Sequence, residues 1–505
     1  MNKRSFFALL WILAGCLQLC ANSPKLTVIF VVDQFAYHEL TKFLPSLTGG
    51  IKFFQDNGVR YAQAFHPHSM PETAVGHATI GTGCLARDHG IIGNIWHAED
   101  GSLITCDADS ADKAAVFGPE GKQNYGVSPQ YLMVDTLSDQ LRLFSYPHAN
   151  YNAWTVALKS RAAVLMAGRL GKPLWFDSKT GMFTSSIAYM QELPTWVTDY
   201  NKTIKENHSD ITDWEAFLRT PPSNKMLLDL ARKTLSENKP TDENQHLVMF
   251  VSMNSLDLLG HVKGPRSEEV SEMIQTIDTD LKSFIDDIYA EYNQEDVLLT
   301  LTADHGVFPI LEEVQQDGID FAHRIPAKKL TEELNALISE KFSLEKMIIN
   351  FKMPQFYLDE EKLKSLDIEQ KEQLYALIKD YLVNIPGIKR VWTYDELSKV
   401  VFDPLDLGLY YQHQLYPHRT GDIIVQVQPY NFIDIYEGGT GHGTPYSYDT
   451  HVPLFVYQKG IHENKTITEK VYVPQLTVSI AQLLGVPRPS ASTFNLLPGL
   501  NYDVA

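Results

Sequence analysis

Six residues of metal-ligating type stand just beyond apolar runs of the chain. Asp33 follows the run 25–32, Asp257 and His261 follow 246–253, the adjacent pair Asp304-His305 follows 297–302, and His442 sits in Gly441-His442-Gly443. Mixed carboxylate and imidazole donors suit Zn²⁺, which tolerates irregular geometry. A lone Asp after a strand is as often a helix cap or a loop acid; several strands converging on one edge give the set its metal reading. Between the first ligand candidate and the rest lies Pro71-Glu72-Thr73-Ala74-Val75-Gly76-His77-Ala78-Thr79, a loop entering a helix with Thr73 at the helix start. Thr is favoured there simply as a cap. The same geometry also turns orphan backbone N–H groups toward an anion, and a nearby metal would lower the hydroxyl pKa enough to make Thr73 a nucleophile. The segment Ile80-Gly81-Thr82-Gly83-Cys84-Leu85-Ala86 loosely fits a dinucleotide fingerprint, but it lies within or after that helix rather than directly after a strand.

The elements that must position these groups are short, continuous, β-branched strands interleaved with helical stretches such as 267–289. That pattern predicts an α/β fold with a mostly parallel central sheet covered by helices on both faces. In such sheets ligands bind beyond the carboxyl ends of the strands, where the acids lie. A further strand is expected over 452–457 and a last packed helix over 476–484. Two stretches read as insertions: about 170–245, polar and aromatic-rich, and about 328–428, a compact α+β cap with helices over 330–341 and 368–384.

With 44% hydrophobic residues and only 4 Cys in 505 residues, the chain is globular rather than disordered or disulfide-scaffolded. Its 62 acidic against 43 basic residues give a net charge of −19. Such a field repels polyanions, so no nucleic-acid binding is expected, and a small anionic substrate would need a local positive charge. Lys3 and Arg4 precede an apolar run from Phe6 to Cys20, too short to span a bilayer. It reads as an export signal, cleaved after Ala21 or ending before a lipidated Cys16, because Leu13-Ala14-Gly15-Cys16 resembles a lipobox. The expected mature product is periplasmic or secreted, or anchored by lipid, with no transmembrane segment and with one catalytic domain over 24–505. Cys84 and Cys106 are then either a disulfide or two buried thiols.

The segments TAVGHATIGTG, HGIIGN, LKSRAAVLMAG, DLLGHVKGP, TADHG and GHGTPYSYDTHVPLF resemble, in order, the motifs of the alkaline phosphatase superfamily. They are most similar to the branch holding nucleotide pyrophosphatase/phosphodiesterases and the phosphate-irrepressible secreted alkaline phosphatases. The resemblance covers nearly all of the chain after the leader. It implies two Zn²⁺, one held by Asp33, Asp304 and His305 with Thr73 as the nucleophile on it, the other by Asp257, His261 and His442. It also implies that Asn94 donates to a phosphate oxygen and that Lys159 and Arg161 are the cation pair of the monoesterase members. A monoester dianion presents one more bare oxygen than a diester, which those cations would meet; alone, they read as a solvated helix start. The implied activity is hydrolysis of small phosphate monoesters through a phosphothreonine, the alternative being a nucleotide pyrophosphatase/phosphodiesterase on the same metals. His66, His68, His89, His97, His323 and His451 are expected to be structural, and His77 to lie in a motif without ligating. Tyr446, Tyr448 and Asp449 are expected to shape the loop around His442.

Overall fold

The structure, a computed structural model, describes residues 23–148, 150–434 and 438–502; the leader with Cys16 lies outside them. Nine strands make the central sheet: β1 (Leu26–Val32), β2 (Val59–Tyr61), β3 (Tyr151–Ala157), β4 (Lys172–Asp177), β5 (Met182–Thr184), β6 (His246–Met253), β7 (Val297–Thr302), β8 (Leu454–Tyr457) and β9 (Lys465–Ile467). Their spatial order is β5-β4-β3-β6-β1-β7-β8-β2-β9. The middle block β4-β3-β6-β1-β7 is parallel, in agreement with its continuous apolar runs. β5 and β8 add antiparallel neighbours, so the sheet as a whole is mixed.

Helices cover both faces. They include α1 (Gly50–Asn57), α2 (Thr73–Thr82), α3 (Ser160–Ala167), α4 (Pro221–Glu237), α5 (Ser255–Lys263), α6 (Glu268–Glu291) and α7 (Pro474–Leu483). On one face Phe30 of β1 meets Phe54 of α1 and Phe284 of α6 edge-on. Ser252 of β6 is in register with Val31 and so points to the opposite face, where it meets His77 of α2. The amphipathic α6 buries Val270, Met273, Ile274, Ile277, Leu281, Phe284, Ile285 and Ile288, a helical stripe facing the sheet, and Ser267 caps it by accepting the Val270 N–H.

One expectation needs correction. The stretch 170–245 is not wholly an insertion, because Lys172–Asp177 pairs with β3 and Met182–Thr184 extends the sheet edge. The helix α4 of the same stretch buries Met226, Leu227, Leu228, Leu230 and Ala231 in the main core. The stretch 328–428 builds a separate four-stranded antiparallel sheet from Ile348–Lys352, Gln355–Leu358, Ile423–Val427 and Ile388–Thr393, in that spatial order. The helices Ala327–Phe342 and Ile368–Val383 pack on it through Leu330, Leu334, Ile338, Leu374, Ile378 and Leu382, giving the cap its own core. Cys84 and Cys106 are buried free thiols, not a disulfide.

Candidate active site

Four neighbouring parallel strands end at one edge, and each delivers a polar group there. β1 ends in Asp33, β3 leads to Lys159 at the start of α3, β6 to Asn254 and then Asp257 and His261 on α5, and β7 to Asp304 and His305. Spacing four puts Asp257 and His261 on one face of α5, with His261 Nε2 3.2 Å from Asp257 Oδ1. His442 arrives on the loop before β8; its Nδ1 bonds the Pro71 carbonyl at 2.7 Å, and its ring stacks on His305 at 3.7 Å.

Thr73 is the first residue of α2, after Glu72 at the cap position, so its hydroxyl is not used as an N-cap. Its Oγ1 lies 3.2 Å from Lys159 Nζ, which also touches Asp33 Oδ2 at 2.7 Å and Asp257 Oδ2 at 2.5 Å. Asn94 accepts the Ala74 N–H through Oδ1, which leaves its amide NH₂ beside the nucleophile's helix start. The helix comes this close to β7 because residue 76 is Gly: a Cβ there would stand 2.2 Å from the Asp304 carbonyl oxygen. Arg161, one residue into α3, has a buried Nε with no hydrogen-bond partner among the described residues.

The donor set suits divalent metal. His305 Nδ1 bonds the Gly306 carbonyl, His261 Nδ1 the Thr440 carbonyl and His442 Nδ1 that of Pro71, so all three turn Nε2 inward, as second-shell bonds orient metal-bound histidines. Asp33 Oδ1, Asp304 Oδ2 and His305 Nε2 are buried without hydrogen-bond partners among the described residues. They face one another, with His305 Nε2 3.3 Å from Asp33 Oδ1 and 3.4 Å from Asp304 Oδ2. Among the described residues, two groups have ligand atoms mutually within 4.8 Å: Asp257, His261 and His442, as expected, and Asp33, Asp257 and His305, which differs from the expected trio by drawing in Asp257 instead of Asp304. Asp304 Oδ2 is 3.1 Å from His77 Nδ1.

The electrostatics say the same. Three buried carboxylates, Asp33, Asp257 and Asp304, gather at the strand ends, and the first two pair with Lys159. Burial opposes the lysine's charge, yet Asp257 and Asp33 outweigh it and hold its pKa above the ordinary range. For Asp304, burial and the Asp33 charge push the pKa up. Burial opposes protonation of His305, but Asp304 and Asp33 lift it to about 10. A pocket this rich in buried negative charge calls for a bound cation.

Sequence reasoning missed three supports. Gln34, in the left-handed region at φ 68°, gives its N–H to Asp304 Oδ1 and its side-chain amide to Asp257 Oδ1. Asn254 donates to Asp33 Oδ2 and accepts the Leu158 and Lys159 N–H groups, tying three strand ends together; its position at a strand end was the available signal. Glu72 accepts the Asn94 N–H at 2.6 Å and pairs with Lys352 of the cap at 2.7 Å. Burial raises the Glu72 pKa, but Lys352 and the Asn94 N–H outweigh it and bring it to about 2.

The other histidines are spread through the fold. His66 bonds the Ala303 carbonyl, His68 accepts the Ala86 N–H, His89 accepts the Ile91 N–H and pairs with Thr79, and His451 stacks between Tyr37 and Phe65. The backbone N–H of His323 bonds Asn431. Asp449 accepts the Thr444 N–H and hydroxyl through its carboxylate and the Gly306 N–H through its carbonyl, Tyr446 donates to the Val427 carbonyl and the Tyr448 carbonyl accepts the Val307 N–H, so all three brace the His442 loop. A cleft of about 310 Å³ opens off the site between this loop and the cap, with Glu72, Asn94, His261 and His442 in its wall.

The chain matches the type I phosphodiesterase/nucleotide pyrophosphatase family over residues 27–451. It is 27% identical to alkaline phosphatase PhoV of Synechococcus elongatus, covering 94% of this chain and 93% of that protein. It is 26% identical to alkaline phosphatase PafA of Elizabethkingia meningoseptica, covering 93% of each. The crystal structure of wild-type PafA shares its fold, with a TM-score of 0.85 over 94% of this chain and 99% of that one at 24% identity. The family match begins in β1, before Asp33, and ends beyond His442, so it takes in the whole strand-end site: the chain belongs to the type I phosphodiesterase/nucleotide pyrophosphatase family.

Proposed function

We propose that this chain is an exported phosphoric ester hydrolase that prefers monoesters and works through a phosphothreonine on Thr73. The observation that carries the reading is the placing of the Thr73 hydroxyl 3.2 Å from Lys159 Nζ, at a helix start beside both donor groups. Asp33, Asp304 and His305 would hold one Zn²⁺, and Asp257, His261 and His442 a second. Zinc bound there supplies Lewis-acid charge that lowers the hydroxyl pKa and offsets the phosphate's negative charge.

Thr73 Oγ1 attacks phosphorus in line; its bond to phosphorus forms as the ester oxygen's bond breaks, and water then cleaves the phosphothreonine to release phosphate and free Thr73. The α2 N-terminus and the Asn94 amide orient the non-bridging oxygens, and Lys159 and Arg161 meet the additional oxygen of a monoester dianion. Their placement supports the monoesterase over the phosphodiesterase alternative, as do relatives named alkaline phosphatases. Among the described residues no helix is long and apolar enough to cross a membrane. The basic and apolar leader supports export, with cleavage after Ala21 or lipidation of Cys16 deciding whether the product is free or anchored.

The test is Thr73→Ala in zinc-replete protein. Turnover of a monoester should fall by about a thousandfold or more while zinc per chain, read by elemental analysis, stays unchanged. Near wild-type turnover would remove Thr73 from the nucleophile's role.

A further inference from the structure

The cleft beside the site has a chemistry of its own. Phe351, on the cap strand Ile348–Lys352, and Phe432, next to the His442 loop, stand in its wall with Met70 and Met353. Neither ring is left to choose its own position. Phe351 packs on the buried Phe356 at 4.6 Å, and Phe432 lies nearly parallel to Phe308 at 6.4 Å and 13°. Phe432 also abuts the backbone at Gly441, where a Cβ would stand 3.1 Å from its ring tip. Lys352, the cap cation in the same wall, is already paired with Glu72 at 2.7 Å. A second anionic group on the leaving alcohol would meet a neutralised cation and a chain of net charge −19.

Resting on the monoesterase reading, we infer that this cleft is a leaving-group site for alcohols bearing an uncharged planar ring close to the ester oxygen. Phe351 and Phe432 are its specificity-determining residues. Pre-fixed rings stack on or edge a planar group without paying to order themselves first, whereas a small alkyl group leaves both faces unfilled.

Benzyl phosphate and ethyl phosphate are both esters of primary alcohols, so the bond broken is alike and the difference reports the cleft. With zinc-loaded enzyme, kcat/KM should favour benzyl phosphate by about tenfold or more, and Phe351→Leu or Phe432→Leu should each cut that ratio about threefold to tenfold. Calorimetric binding of benzylphosphonate against ethylphosphonate, which cannot turn over, should show the same preference in the wild-type enzyme and decides the matter even if a variant fails to fold. Equal affinity for the two phosphonates, or a ratio unmoved in both folded variants, overturns the inference while leaving the monoesterase reading intact. Hydrolysis of neither monoester alongside ready hydrolysis of a diester overturns both.

Discussion

Lys159 is where a single side chain carries opposite meanings: a solvated helix start in isolation, a buried cation 9% exposed in the fold. If Lys159 and Arg161 contact the additional oxygen of a monoester, replacing both with Ala removes charge-assisted bonds of about 1.5–3 kcal/mol each. Monoester kcat/KM should then fall about tenfold to a hundredfold per side chain, with a much smaller change on a diester having the same leaving group. Parallel losses on both substrates would make the pair structural. A second residue-scale expectation concerns Glu39, buried with Oε2 accepting the Ala36 N–H. Burial, only partly offset by that bond, raises its pKa from 4.5 to about 8. The native state therefore keeps a proton that the unfolded chain has lost, and stability declines as pH rises from about 4.5 to about 8. Glu39→Gln should add about 2–4 kcal/mol at pH 8 and almost nothing at pH 4, read as Tm at the two pH values; equal shifts at both would mean that the carboxyl is not protonated in the fold.

At the scale of elements, the sheet and its carboxyl edge were legible because acids recur directly after continuous apolar runs, a pattern that period and composition expose. Asp33, Asp257 and Asp304 were found that way. Three things were not. β4 and β5 are short, β4 carries Pro173, and a tight turn at Asp177-Gly181 joins them, so they read as loop. The Glu72–Lys352 pair joins residues far apart in sequence, and only the cap's strand register brings them together. The role of Gln34 depends on a left-handed backbone conformation that residue type does not announce. The approach of α2 to β7 gives a direct test. Gly76→Ala drives a methyl into the Asp304 carbonyl and should destabilise by about 1–3 kcal/mol while cutting turnover more than Tm alone explains, because it moves Thr73 relative to Asp304. Unchanged activity with unchanged Tm would mean the helix shifts freely.

For the molecule as a whole, two cores are bridged above one charged floor: the main sheet with its helices, and the cap with its own sheet. Metal bound to Asp33, Asp257, Asp304 and the three histidines would relieve carboxylate repulsion at the junction of β1, β6, β7 and the His442 loop. Removing it with a chelator should lower Tm in proportion to the logarithm of free zinc, and adding Zn²⁺ back should restore both Tm and activity. A Tm indifferent to chelation, in protein shown by elemental analysis to have lost its zinc, would mean that these residues hold their places without a cation.

The order of these candidate ligands along the chain has a consequence for biosynthesis. Asp33 is made early, Asp304 and His305 past the middle, and His442 near the end, just before the β8 strand that pairs with β7. A chain still on the ribosome therefore displays its early acids before their later partners exist, and the last histidine reaches them only after the whole cap has emerged. On the proposed ligand sets, the Asp33, Asp304 and His305 site could fill once residue 305 has emerged, whereas loading of the Asp257, His261 and His442 site would be a terminal event, set by the metal of the compartment in which the chain finishes folding.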